Sequence, residues 1–572
     1  MPNNEEKLLK EIEDLKKEIQ KLKERKKYGL VWDEKQEQVV LDCQTKIPVL
    51  KELKNNAILI DINEPFNILI EGDNYHSLSV LNYTHKGKID VIYIDPPYNT
   101  GSSIWRYNNN YVDGEDAFRH SKWLSFMEKR LKLAKNLLKE SGVIIATIDD
   151  YEIHSLGLLM DEIFNEKNRM SILVIESNPR GRTSNAFFAT SHEYYLFYAK
   201  NASKVKFENI PLTEEQAEVF KHEDEISKYR LLPLRKSGAA SRRKDRPKQF
   251  YPIYINPGTC QLSLDKTSQK DIKIEPIDGS GEERVWKLGV INCQKFIETG
   301  DVIAKKNNDD FFTLYQKDRI KIGRKPKTVW VSPSYDASAH GTNLISEILS
   351  KRNTFDYPKS LYAVIDSLNT LIRSNKKAIV LDFFAGSGTT GHAILEINKQ
   401  DDGKRKFILC TDNENNICEH VCYPRVKNSI VGYKNLKGRT IHGLGGNLKY
   451  FKTDFVDVER VNNISDERKI RLTYQAGEMI ALREDTLDEK EKNNWWQIFT
   501  DGKRYAAIYF KEDKSKLQNL VGRLSKLNNK VALYIFSWGK NEYKNEFVEY
   551  RNIRVEDIPE PIIEVYREIN KL

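Results

Sequence analysis

The strongest constraint on the fold is a pair of strand–loop–helix units set far apart in the chain. KIDVIYIDPPYNTG, from Lys88, is a run of β-branched residues that stops sharply at Pro-Pro. AIVLDFFAGSGTTGHAILEI, from Ala378, is a second apolar strand that breaks into small residues and then opens a helix. Apolar runs of this kind form the strands of parallel sheets buried on both faces. Around the first unit lie FNILIEGDNYHSL, the amphipathic helix SKWLSFMEKRLKLAKNLLKESG with a stop at Gly142, the strand VIIATIDD and the helix EIHSLGLLMDEIF. Around the second lie the helix YPKSLYAVIDSLNTLIRSN and the strand KFILCTDNEN. This rhythm predicts an α/β chain with a Rossmann-like, doubly wound sheet built in two halves.

Between the halves the rhythm is lost. The region is polar and carries two basic clusters. LRKSGAASRRKDRPK, residues 234–248, includes Arg242, Arg243 and Arg246; KDRIKIGRKPK, residues 317–327, includes Lys325. At the start, Leu8, Ile12, Leu15, Ile19 and Leu22 repeat at spacings of four and three, a heptad stripe for a docked or dimer-forming helix. Near the end, WWQIFTDGKRYAAIYF reads as a hairpin around Asp501-Gly502, followed by a helix and a strand. The expected organisation is an N-terminal helix (1–30), a first sheet half (31–200), an inserted region (201–345), a second sheet half (346–445) and a small C-terminal α/β domain (446–572).

At 572 residues the chain is too long for one core, and 39% hydrophobic with 31% charged residues marks a folded protein. No apolar run approaches the ~20 residues of a membrane span, and the first residues have no apolar signal core, so a cytoplasmic protein is expected. Six cysteines form no disulfide scaffold, and Cys418, His420 and Cys422 lack a second ligand pair, so no metal is expected. A net charge of +9 points only weakly to a nucleic-acid partner.

Asp95-Pro96-Pro97-Tyr98 carries the sharpest chemistry. An exocyclic nucleobase amine is a poor nucleophile because its lone pair is delocalised into the ring. Two acceptors, the Asp95 carboxylate and the Pro96 carbonyl, can draw that pair out of conjugation. Pro96 and Pro97 stiffen the loop, and Tyr98 offers a face for a flipped base. The second loop, Asp382-Phe383-Phe384-Ala385-Gly386-Ser387-Gly388, opens a helix whose amides suit a carboxylate such as that of S-adenosylmethionine. Gly386, Gly388 and Gly391 also fit a dinucleotide fingerprint, so a nicotinamide or flavin enzyme is a rival; the Asp-Pro-Pro-Tyr loop is what that rival leaves unexplained. Asp412 or Glu414, at the next strand end, could meet ribose hydroxyls.

Together these residues resemble the amino-group DNA methyltransferases of the β class, adenine-N6 enzymes in which the Asp-Pro-Pro-Tyr loop precedes the Phe-x-Gly-x-Gly loop and a target-recognition region lies between. Asp at position 95, where cytosine-N4 members usually carry Ser, leans towards adenine. The resemblance implies S-adenosylmethionine as cofactor, Asp73 of Gly72-Asp73-Asn74 at its adenine, and Pro358-Lys359 near its methionine end. HEYYLFYAK, 192–200, resembles the strand closing the catalytic half. Thr411 stands where a Glu is often seen, which leaves the ribose position open. The length, RRKDRPKQFYPIY and the C-terminal domain resemble the modification subunits of type III restriction–modification systems. That implies double-stranded DNA, a homodimer and a helicase–nuclease restriction subunit as partners. Solitary methyltransferases of similar build exist. RNA or protein-glutamine methyltransferases share the loop but more often begin it with Asn, and a non-catalytic DNA-binding subunit remains open. No cysteine sits in the Pro-Cys context of cytosine-C5 chemistry.

Overall fold

A computed structural model describes Lys16, Trp32 and residues 37–571, apart from 108–109, 114–115, 182–186, 211, 213–216, 307–310, 322, 353, 540–541 and 544. The heptad residues, and the dimer helix expected of them, lie outside the described residues. The chain forms two compact units, Met1–Glu208 with Lys327–Leu572, and Asn209–Pro326.

The larger unit is organised by a ten-stranded sheet. Its strands are β1 (Lys46–Glu52), β2 (Phe66–Glu71), β3 (Ile89–Ile94), β4 (Leu138–Ile148), β5 (Arg169–Ile175), β6 (Glu193–Ala199), β7 (Val329–Trp330), β8 (Ile379–Asp382), β9 (Lys406–Thr411) and β10 (Asn447–Asp457). They lie in the order β1-β10-β2-β9-β8-β3-β4-β6-β5-β7. From β10 to β4 every neighbouring pair is parallel; β1 and β6 run against their neighbours.

Alternation along the strands fills two cores. Ile92 and Ile94 of β3 and Ile144 and Ala146 of β4 face α1 (Asn74–Thr84), α2 (Arg119–Leu137) and α3 (Ile153–Phe164). Val91, Tyr93, Val143 and Ile145 face the other way, onto α4 (Leu361–Ile372), α5 (Thr389–Asp401) and α6 (Tyr423–Val431). In α2 the buried Trp123, Met127, Leu131 and Ala134 recur at helical spacing, so one stripe meets the core. This is the doubly wound α/β arrangement expected.

Three boundaries differ from the expectation. Gly142 does not end α2: the helix stops at Leu137 and Gly142 lies inside β4, where an added Cβ would come within 3.0 Å of the Ile89 carbonyl. Glycine there serves close strand approach and not a helix cap. The inserted unit is narrower than 201–345, because Val329–Trp330 pairs with β5. Residues 446–572 are no detached domain. Their first strand, β10, completes the main sheet, and a five-stranded mixed sheet after it shares one core with α1 through Phe499, Ala506, Ile508 and Tyr534. The hairpin around Asp501-Gly502 is present within that sheet.

The smaller unit holds a four-stranded and a three-stranded antiparallel sheet and the helix Val290–Glu298, around Leu234, Ile253, Trp286, Cys293, Val302 and Leu314. Among the described residues no helix is long and apolar enough to cross a membrane.

Candidate active site

From β3 the chain winds outward to β4, and from β8 it winds the opposite way to β9 and β10. The order therefore reverses between β3 and β8, and in such sheets ligands bind beyond the carboxyl ends of the strands at that point. Four loops leave that edge side by side. They carry Asp73 after β2, Asp412 after β9, the glycine loop after β8 and Asp95-Pro96-Pro97-Tyr98 after β3.

Asp95 is anchored through one oxygen. Its Oδ1 accepts from Thr147 Oγ1 at 2.6 Å and pairs with Lys359 Nζ at 2.8 Å. No described residue donates to Oδ2, and the side chain keeps 27% of its surface exposed, so the second oxygen is the one available to an amine. The Lys359 ammonium also lies 3.3 Å from Glu193 Oε2 and 4.6 Å from the centre of the Tyr98 ring. Tyr98 in turn donates its hydroxyl to Glu193 Oε2 at 2.9 Å. One face of the Tyr98 ring therefore carries a cation. Burial alone would lower the pKa of Lys359, but the carboxylates of Asp95 and Glu193 outweigh it and hold the ammonium above the ordinary lysine range. Burial, then the charges of Asp95 and Glu193, pushes the Tyr98 phenol far up, so it stays a neutral donor. Trp123 Nε1 donates to the Pro97 carbonyl at 2.7 Å, and Asn99, at a positive φ of 55°, donates to the buried Glu152 at 2.5 Å. The loop is pinned on both sides of its prolines.

In the glycine loop, Asp382 spends both oxygens on the loop itself. Oδ1 accepts from the Phe384 amide at 2.9 Å and Oδ2 from Thr390 Oγ1 at 2.6 Å. These two bonds close the turn of the loop expected to meet the cofactor. Gly388 N donates to the Ala385 carbonyl at 2.7 Å, and Gly386 and Gly388 take φ of 48° and 79°, where side chains are strained. Phe384 and Gly386 are the loop's open surface, while Ser387 and Thr389 point inward to the wholly buried Arg425. Open glycine backbone at the start of α5 fits the carboxylate end of an amino-acid cofactor.

Burial, followed by the Asp95 charge, raises the pKa of Asp382 from 3.8 to about 7. A raised carboxylate pKa means that the folded state binds the proton more tightly. Its contribution to stability is complete below about 4 and lost as the pH climbs to about 7, a window worth at most about 4 kcal/mol. Asp382→Asn keeps the acceptor for Phe384 and removes the charge. Its melting temperature is expected to exceed that of the wild type at pH 8, with the gap closing by pH 5, in paired calorimetric scans.

Asp73 caps α1, accepting from Tyr75 N at 2.7 Å, and lies 3.5 Å from Arg130. Arg130 is fully buried and doubly bonded to Glu37. Asn74 Nδ2 donates to the Phe383 carbonyl at 3.0 Å, joining this loop to the glycine loop. Desolvation and, after a hydrogen bond that offsets it, the Asp73 charge raise the pKa of Asp412, so these acids share one neighbourhood. Glu414 opens a short turn and gives its amide to Asp412. Cys418 and Cys422 are buried in the core below.

The structure thus brings together Asp95, Tyr98 and Lys359, and places Lys359, expected near the methionine end of the cofactor, in an ion pair with Asp95. Glu193, Thr147, Trp123 and Arg425 escaped sequence reasoning. Glu193 had a signal: it starts β6, and because β6 runs against β4 its first residue reaches the edge where parallel strands end.

In the smaller unit, Arg242 and Arg243, which could contact DNA phosphates or guanines, form half-exposed ion pairs with Glu282 at 2.7 Å and Glu283 at 2.9 Å. Arg246 is exposed and has no ion pair among the described residues. Lys325 lines a cleft of about 480 Å³ with Phe220, Arg230, Lys321 and Arg324.

Fold and site define an α/β methyltransferase. Residues 89–422 match a family model described as a DNA methylase. The type II methyltransferase M.KpnI of Klebsiella pneumoniae is 33% identical over 411 residues, 71% of this chain and 92% of that protein. The EcoPI Mod subunit of a type III restriction-modification enzyme, from Escherichia phage P1, is 33% identical over 61% of this chain and 58% of its own length. The StyLTI Mod subunit of Salmonella typhimurium is 29% identical over 64% and 55%. The chain spans little more than half the length of these Mod subunits. It belongs to the DNA methylase family.

Proposed function

We propose that this chain methylates N6 of an adenine flipped out of duplex DNA, as the modification subunit of a type III restriction–modification system. The observation that carries the reading is Asp95, held through Oδ1 alone, next to the glycine loop at the point where the sheet reverses.

Asp95 Oδ2 and the Pro96 carbonyl accept the two amine N–H groups, which turns the nitrogen lone pair out of the ring plane. The glycine loop, with Asp73 and Asp412, would hold S-adenosylmethionine, whose sulfonium methyl would pass to the amine with S-adenosylhomocysteine as the leaving group. Lys359 and Thr147 hold the Asp95 carboxylate in place through Oδ1, and Tyr98 flanks the flipped base. Exposed basic groups of the inserted unit, Arg246 and Lys325 among them, suit DNA phosphates. A restriction subunit as partner, a homodimer and a cytoplasmic location complete the reading.

One observation favours a second reading, a type II methyltransferase: the match to M.KpnI spans 92% of that protein. Purified chain with labelled S-adenosylmethionine and unmethylated bacterial DNA is expected to place the label in N6-methyladenine on nucleoside mass spectrometry. Label in N4-methylcytosine, or none with cofactor binding intact, would overturn the adenine assignment.

A further inference from the structure

Arg425 is a cation that the mechanism leaves unused. It is 0% exposed, at the start of α6, and its Nη1 donates to Ser387 Oγ at 2.9 Å and Thr389 Oγ1 at 2.7 Å. Among the described residues its Nε and Nη2 have no hydrogen-bond partner and no carboxylate pairs with it. Buried guanidinium groups in folded proteins are normally paired, because an unpaired buried charge is strongly destabilising. Arg130, equally buried in the same unit, has Glu37 on two nitrogens. Burial pulls the pKa of Arg425 down to about 10, so it still carries its charge at neutral pH.

The missing counter-charge has an evident place. Arg425 grips the two hydroxyl residues that flank Gly388, and the open surface of the same loop is at Phe384 and Gly386. Because Ser387 Oγ and Thr389 Oγ1 both accept from the guanidinium, its positive charge is coupled to the inner side of the loop that carries Gly386.

We propose that Arg425 is a positioning residue that selects a ligand carboxylate at the glycine loop, acting through Ser387 and Thr389 without touching the ligand. The inference rests on the reading of this loop as the seat of the cofactor's amino-acid end. A unit charge acting across two hydrogen bonds in a water-poor interior amounts to roughly ten-fold or more in affinity.

The test compares two ligands by titration calorimetry. S-adenosylhomocysteine carries the carboxylate; 5′-methylthioadenosine keeps the nucleoside and sulfur and lacks the amino-acid end. Arg425→Gln is expected to weaken S-adenosylhomocysteine by about ten-fold or more and to leave 5′-methylthioadenosine unchanged. Arg425→Lys, which keeps the charge, is expected to recover most of the loss. Equal weakening of both ligands, or of neither, would overturn the proposal and leave Arg425 as a tie between α6 and the loop. Failure of the wild type to bind either ligand would instead sink the cofactor reading itself. Should Arg425→Gln not melt cooperatively, Thr389→Ala takes its place: selective loss of S-adenosylhomocysteine supports the relay, and unchanged preference refutes it.

Discussion

Asp95→Ala is expected to lower the rate of methyl transfer by roughly 10²–10³-fold, the loss seen when one preorganised electrostatic partner of a transition state is removed. Binding of S-adenosylhomocysteine should survive, because the glycine loop and Asp73 follow other strands, β8 and β2. The fold should survive as well. Lys359, which would otherwise be stranded, retains Glu193 at 3.3 Å. Single-turnover kinetics beside ligand titration separate these effects. A variant that transfers methyl groups at the wild-type rate would exclude the loop from the chemistry.

Lys359→Met should produce the second large change, and its signature is a pH profile. In the wild type the ammonium sits between Asp95 and Glu193, and its raised pKa keeps it charged across the neutral range and beyond the ordinary lysine value. Without it two carboxylates face one another in a buried site. Like charges at that separation cannot both stay ionised at low cost, so one takes up a proton at higher pH. The acid limb of kcat is expected to move up by roughly one to three pH units, with activity returning as the medium becomes alkaline. A rate lowered equally at every pH would mean that Lys359 only packs the loop.

The sheet and its two signature loops were legible in the sequence because both depend on local pattern. Buried parallel strands read as apolar runs, and Pro-Pro and Gly-x-Gly mark where they stop. What the chain's pattern could not convey was contact between distant segments. Lys359 was expected near the cofactor on resemblance alone; its ion pair with Asp95 depends on a strand order in which β8 lies beside β3. Arg425 was invisible for the same reason, since an arginine on a later helix carries no local mark of what it meets, whereas Glu193 could have been found from its place at the start of an antiparallel strand. Ion pairing across distance was equally hidden: Arg242 and Arg243 form a dense positive run in sequence, and Glu282 and Glu283, some forty residues on, pair with them at the surface. The C-terminal boundary at 446 failed because β10 is amphipathic and reads equally as the opening of a new domain.

The adjacency of β3 and β8 also governs how the molecule comes into being. Val91 and Ile92 pair with Val380 and Leu381, so the two strands that frame the site lie on opposite sides of the inserted unit in sequence. On a ribosome, β3 can pair at once with β4 and take cover from α1 to α3, but its other edge waits for the whole inserted unit to emerge. Until then that edge and the sheet's second apolar face stay uncovered. Contacts of such long range slow folding and leave intermediates prone to association. Fragments ending before Ile379 should therefore accumulate as aggregates and not as half-active enzyme, and synthesis of this chain should depend on chaperones more than its size alone would require.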